Sequence, residues 1–142
     1  MKVKKTEEKY MKIALKEAKK ACKQREVPVG AVIVENSKII SKAHNCVEKK
    51  YSVIYHAEII AIIKAGKKKK NWRLDNCILY TTMEPCEMCM RVIKKSRIKK
   101  IVYGIKNNEN LTQDKREKIE IIDNVCHDEC KQIIKCFFKK IR

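Results

Sequence analysis

One imidazole, two thiols and one carboxylate are divided between two short stretches of this chain, His56-Ala57-Glu58 and Pro85-Cys86-Glu87-Met88-Cys89. Three nitrogen or sulfur ligands with an open fourth position are the build of a catalytic zinc site, whereas structural sites close all four positions. The carboxylate, Glu58, is then left free to move protons. For this set to act together, the fold must carry His56 to two cysteines that begin 30 residues later (86 minus 56). That requirement constrains the chain more than any other feature of it.

Each half alone is weak. Cys86 and Cys89 are three apart at the start of an expected helix, so both sulfurs lie on one face of its first turn. A helix N-terminus favours thiolate over thiol. Even so, a lone Cys-x-x-Cys also fits a redox motif, half of a structural zinc site, or chance. His56 and Glu58, at i and i+2, lie about 200° apart on a helix. They converge only if that helix points at the site end-on with both residues in its first turn. The bland alternative is a capping histidine beside an exposed glutamate, and the apolar run Ile59-Ile60-Ala61-Ile62-Ile63 argues against full exposure of this helix.

Around these stretches the chain alternates helices with short buried strands. Residues 6 to 25 read as a helix, with Thr6 as N-cap and Met11, Ala14, Leu15, Ala18 and Cys22 as its apolar stripe. Val27-Pro28-Val29-Gly30 breaks it. Ala31 to Val34 and Ile39-Ile40 read as a hairpin about the turn Glu35-Asn36-Ser37-Lys38. Residues 45 to 55 read as irregular. His56 to Ala65 reads as a helix ended by Gly66, and Lys67 to Lys70 as a basic loop. Cys77 to Thr82 is an expected strand, and Pro85 opens an expected helix to about Lys95. Lys100 to Tyr103 reads as a strand stopped by Gly104, residues 105 to 118 as loop, Ile119 to Ile122 as a short strand and Cys126 to Ile141 as an amphipathic helix. This order implies a sheet covered by helices, in one domain spanning 1–142.

The formal net charge is +18, from 35 basic against 17 acidic residues. Such an excess suits a polyanion, either nucleic acid or an anionic membrane surface. Lysine supplies 29 of the 35 basic residues (35 minus 6 Arg), a bias that an AT-rich genome would also write on any solvated face. No run of 18 apolar residues exists to span a membrane. The N-terminus is rich in Lys and Glu and has no apolar segment of the secretory kind. The eight cysteines therefore fit metal binding in a reducing cytoplasm better than a disulfide framework. In the last helix, Cys130, Ile134, Phe137 and Ile141 form one narrow stripe, opposite or beside Lys131, Lys135, Lys139 and Arg142. Phe138 sits at the border, as a core edge or as an aromatic beside cations that can stack an unpaired base. Cys126, His127 and Cys130 lack a fourth ligand at suitable spacing for a second metal site.

The order His-x-Glu, then Pro-Cys-x-x-Cys, is the signature of zinc-dependent nucleobase deaminases. The chain resembles the bacterial-type tRNA-specific adenosine deaminases of the cytidine deaminase-like superfamily. The resemblance is carried by Glu26 to Val32, His56 to Ile59, Asn71-Trp72-Arg73-Leu74, Glu84 to Cys89, Ser96-Arg97-Ile98, Asp128-Glu129-Cys130 and Phe137-Phe138. It implies a three-layer α/β/α fold, with a mixed sheet of about five strands covered by helices on both faces. It implies one zinc per chain on His56, Cys86 and Cys89, with Glu58 as the catalytic proton shuttle. Substrate contacts are implied for Asn45 and for the backbone of Val27-Pro28. The implied reaction is hydrolytic deamination of adenosine to inosine at the wobble position of a tRNA anticodon, using a zinc-activated water, by a homodimer. A cytidine, deoxycytidylate or guanine deaminase of the same superfamily is the alternative. A non-catalytic RNA-binding subunit would be expected to lose Glu58. Three features depart from the family: Met90-Arg91 after the second cysteine, Ser52-Val53-Ile54-Tyr55 before His56, and a shortened 105–118 segment without the usual glycines.

Overall fold

The computed structural model describes residues 2–108 and 119–140. In chain order the elements are α1 (Lys2–Lys23), β1 (Gly30–Glu35), β2 (Lys38–His44), α2 (Val47–Lys50), α3 (Ala57–Lys69), β3 (Cys77–Met83), α4 (Glu87–Lys95), β4 (Lys100–Ile105), β5 (Glu120–Ile122) and α5 (His127–Lys140). The five strands form one mixed sheet in the order β2-β1-β3-β4-β5. β1 is antiparallel to both β2 and β3, whereas β3, β4 and β5 run parallel. The three-layer α/β/α arrangement expected from the resemblance is the one observed.

The central strands read as unbroken apolar runs because both their faces are covered. Ala31 and Ile33 of β1, Leu79 of β3 and Ile101 and Tyr103 of β4 pack with α3 and α4. Val32 and Val34, Tyr80 and Val102, from the alternate positions of the same strands, pack with Tyr10, Met11, Ala14 and Leu15 of α1 and Cys130 of α5. The β1–β2 hairpin turns at Asn36 and Ser37, whose φ values of 50° and 63° are those of a type I′ turn.

Several local signals resolve differently from the expectation. α1 begins at Lys2, so Thr6 lies inside the helix and is no N-cap. Gly66 is interior to α3, which runs to Lys69 and ends on Lys70 in the left-handed region at φ 56°. Lys67, Lys68 and Lys69 are thus the last turn of a helix, where their charge complements the C-terminal dipole. Pro85 stands outside α4; Cys86 is the N-cap and Glu87 the first helical residue. Residues 45 to 55 contain the short helix α2. Gly104 does not end β4 but continues it. A Cβ there would lie 2.3 Å from Cys130 Sγ, so the glycine lets α5 close on the sheet. Gly30 does the same for α1, since its Cβ would meet Ala14 O at 1.9 Å. Most of the shortened 105–118 segment, along with Ile141 and Arg142, lies outside the described residues.

Candidate active site and metal centre

α3 and α4 present their N-termini to one point, and the site is built from those two ends. His56 is the N-cap of α3, with φ −72° and ψ 153°, and Glu58 is in the first turn. Since His56 lies just outside the helix, the angular problem of an i, i+2 pair disappears and both side chains reach the same space. Cys86 occupies the N-cap of α4, also extended at φ −69° and ψ 172°, and Cys89 follows in the first turn.

His56 Nδ1 lies 3.7 Å from Cys86 Sγ and 3.4 Å from Cys89 Sγ. All three donor atoms fall within 4.8 Å of one another, and they are the cluster of metal-ligating type found among the described residues. A tetrahedral zinc with Zn–S of about 2.3 Å and Zn–N of about 2.0 Å separates sulfur from nitrogen by about 3.5 Å. The observed spacings bracket that value, so the donor set fits zinc without rearrangement.

The electrostatics point the same way. Hydrogen bonds from Cys89 and His56 hold the Cys86 thiol down at about 4, against burial, which opposes them. Its hydrogen bond to Cys86, together with burial, pushes the Cys89 thiol up. The Cys86 sulfur in turn raises His56. One thiolate is therefore preformed, and the second is held protonated by it until a cation relieves the pair. Glu58 is 4% exposed. Burial raises its carboxyl above the usual carboxylate range, only partly offset by a hydrogen bond to its own backbone and by His56.

These groups lie at one side of an open cleft of about 740 Å³, within the size range of small-molecule sites. Val27, Val29, Asn45 and Ala57 line it, and Phe137 and Phe138 of α5 close it from across the sheet end. Asn45 is 8% exposed. Its Nδ2 donates to Val27 O at 3.3 Å. Its Oδ1 is buried with no hydrogen-bond partner among the described residues. A buried acceptor left open is costly, and here it sits in the wall of a cleft where a ligand N–H can satisfy it. Phe138 is 45% exposed and meets Phe137 edge-on with centroids 5.2 Å apart.

The cleft thus gathers His56, Glu58, Cys86, Asn45, Val27 and Phe138, with Cys89 packed directly behind. Pro28 is buried and is not among the lining residues. Cys126, His127 and Cys130 do not form a metal cluster among the described residues. Sequence reasoning missed two glutamates. Glu26, 1% exposed, accepts the backbone N–H groups of Glu48 and Lys49 at 3.0 and 2.8 Å and so caps α2 from 22 residues away. Glu84 accepts the N–H of Asn107 at 3.0 Å, fixing the opposite lip. An acid directly before an expected base-contacting segment was the one available signal for Glu26, and it does not name the partners. Of the departures from the family, Met90 packs in the core and Arg91 pairs with Glu87 at 3.2 Å on the surface. Met90 shares that cluster with Cys86 and Cys89, and its N–H donates to Cys86 O at 2.9 Å.

Comparison with known proteins agrees with this geometry. Residues 4–105 match the family model described as the cytidine and deoxycytidylate deaminase zinc-binding region. The chain belongs to that family. Zinc is its cofactor. The tRNA-specific adenosine deaminase of Bacillus subtilis (strain 168) is 40% identical over 96% of this chain and 91% of its own length. A solved structure from a study of A-to-I editing by tRNA:A34 deaminases at the wobble position of transfer RNA superposes with a TM-score of 0.81. It is 30% identical and covers 87% of this chain and 96% of its own. The guanine deaminase of Bacillus subtilis is 38% identical with a TM-score of 0.66, over 70% of this chain and 64% of its own. Among the described residues, no helix is long and apolar enough to cross a membrane.

Proposed function

We propose that the chain hydrolyses the 6-amino group of adenosine at the wobble position of a tRNA anticodon, leaving inosine and ammonia. One observation carries the reading. A buried carboxylate and a zinc-type donor set share a nucleoside-sized cleft, in a chain alike over almost its whole length to a tRNA-specific adenosine deaminase.

In this reading His56, Cys86 and Cys89 hold the metal. Zinc bound there would supply Lewis acidity, bringing the pKa of water down to about 7. Glu58, raised by burial, would accept one proton of the attacking water and pass it to N1 of the ring, then take the proton of the newly added hydroxyl and pass it to the departing amino group, so that inosine keeps N1–H and ammonia leaves. Asn45 Oδ1 accepts a hydrogen bond from the base, and Val27 packs against its face. Phe138, at the cleft mouth, stacks a base of the loop. An anticodon loop suits such a cleft because its bases are already unpaired.

The partner and setting follow from the same reading. The +18 charge supports binding through RNA phosphates. Eight free cysteines support a reducing cytoplasm. A homodimer is proposed from the resemblance and is checked by sedimentation. The likeness to a guanine deaminase supports a second reading, deamination of a small molecule.

A parallel assay of tRNA, the isolated anticodon stem-loop, adenosine, cytidine, deoxycytidylate and guanine separates the two. Inosine formation on the RNAs with little turnover of the small molecules supports the first. Fast turnover of a small molecule with none on either RNA overturns it.

A further inference from the structure

α2 and the residues after it form one lip of the cleft. Val47 and Glu48 line the cleft itself, and Tyr51 follows Val47 by about one helical turn. The Tyr51 side chain is 96% exposed, the highest value among the exposed large hydrophobics described. Its backbone sits at φ 52° and ψ 40°, a left-handed conformation that a Cβ opposes and that glycine or asparagine usually fills. A bulky ring in that conformation strains the backbone, and so exposed a ring returns little packing to the fold.

The lip is nevertheless held firmly. Buried Glu26 accepts the N–H groups of Glu48 and Lys49. Tyr51 N–H donates to Glu48 O at 3.3 Å, Ser52 N–H to Val47 O at 3.1 Å, and Cys46 N–H to Tyr55 O at 3.0 Å. Lys49 and Lys50, both exposed, come directly before the ring. Val53, 70% exposed, extends its apolar surface. An exposed aromatic and two cations on a held backbone, directly after residues that line a cleft sized for one base, have the chemistry of a single-strand platform: a ring face for a base and charges for phosphates.

We propose that Tyr51 stacks the nucleotide next to the target base, with Lys49 and Lys50 holding its phosphates. The proposal rests on the RNA reading above and adds to it a residue that positions the substrate strand. A second copy of the chain is the competing occupant of this lip. A two-fold contact centred on Tyr51 would bring Lys49 and Lys50 of both copies together, and like charges disfavour it.

The test uses the zinc-loaded full chain and three anticodon stem-loops: one intact, one lacking the base 5′ of the target, one lacking the base 3′ of it. Tyr51→Asn keeps a residue suited to the left-handed backbone and removes the ring. Tyr51→Phe keeps the ring. With the intact RNA, Tyr51→Asn should raise Kd and KM by roughly 5- to 150-fold, with kcat, zinc content and sedimentation unchanged. Tyr51→Phe should bind as the parent does. The difference between parent and Tyr51→Asn should vanish on one of the two abasic RNAs. Equal affinity of parent and Tyr51→Asn for the intact RNA overturns the proposal while leaving the wobble-deamination reading standing. A loss that persists on both abasic RNAs also overturns it. A loss that accompanies a change in sedimentation assigns the lip to a second copy instead. A parent chain that binds no RNA overturns both readings together.

Discussion

Two pairs of cysteines in this chain stand at helix N-termini with a histidine close in sequence or space, and only one pair makes a site. Cys86 and Cys89 begin α4, and His56 arrives from the end of α3 to within 3.7 and 3.4 Å of their sulfurs. Cys126 and Cys130 flank the start of α5, but His127 turns to Asp128 at 3.2 Å instead. The thiols report the difference. Neighbouring donors hold Cys86 down at about 4, while burial pushes Cys130 up to about 12 and also raises Cys126. A helix N-terminus favours thiolate in both places, yet at the second pair burial wins and the Glu129 carboxylate adds to it, because no donating partner converges there. Cys130 serves instead as a core atom, closing on the sheet over Gly104. Spacing along the chain proposes a site, and a second element has to deliver the remaining donor.

The largest expected effect breaks the comparison if it fails. Cys86→Ala or Cys89→Ala should take zinc from one per chain to near none and lower thermal stability markedly, because metal binding free energy is partly folding free energy. Cys126→Ala should leave zinc at one per chain. Elemental analysis of the three purified variants reads this directly, and full zinc in both of the first two would remove the assignment.

Glu58→Gln separates the proposed proton carrier from the proposed ligands. It should keep zinc and RNA binding while kcat falls by about 10²–10⁴-fold, the usual worth of general acid–base catalysis. Single-turnover deamination of the stem-loop at the parent rate would take Glu58 out of the mechanism.

On the core side of the comparison, Gly104→Ala forces a Cβ to 2.3 Å from Cys130 Sγ. Overpacking of this kind costs about 1–3 kcal/mol, to be read from urea unfolding, and Cys130→Ala in the same chain should recover part of it. An unchanged midpoint would mean that α5 sits less closely on β4 than described.

The smallest effect sharpens the electrostatic contrast. In zinc-free protein at pH 6, above the Cys86 value of about 4 and far below the Cys130 value of about 12, Cys86 is thiolate and Cys130 is not. The gain in thiolate fraction over an ordinary thiol is about 10³, and the lower intrinsic nucleophilicity of so acidic a thiol offsets about 10² of it. Iodoacetamide labelling followed by mass spectrometry should therefore favour Cys86 by about tenfold at pH 6, slow in absolute rate below about pH 4 as that thiolate is protonated, and leave Cys130 untouched. Faster labelling of Cys130 would reverse the comparison.

The same contrast explains how much was legible in the residues alone. The donor set could be read because metal chemistry admits few residue types in few spacings, and the central strands because a sheet covered on both faces leaves short unbroken apolar runs. Punctuation was less reliable. Gly66, Pro85 and Gly104 each carry a local signal for an end, and each end was decided by tertiary context. Gly66 lies inside a helix whose last turn is rich in lysine. Pro85 precedes a cysteine that caps α4 while serving the site, and Gly104 is small because Cys130 lies over it. Glu26 could not be placed at all, since its partners are backbone N–H groups of a helix 22 residues further along the chain.

Zinc K-edge X-ray absorption on the purified protein tests the central claim most directly. A centre built from His56, Cys86 and Cys89 with an open fourth position predicts two sulfurs at about 2.3 Å and two nitrogen or oxygen atoms at about 2.0 Å. In Glu58→Gln the shell should be the same, and in Cys126→Ala it should also be unchanged. A shell of three or four sulfurs, or one that changes in Cys126→Ala, would contradict the account, because it would draw the second pair of cysteines into the site.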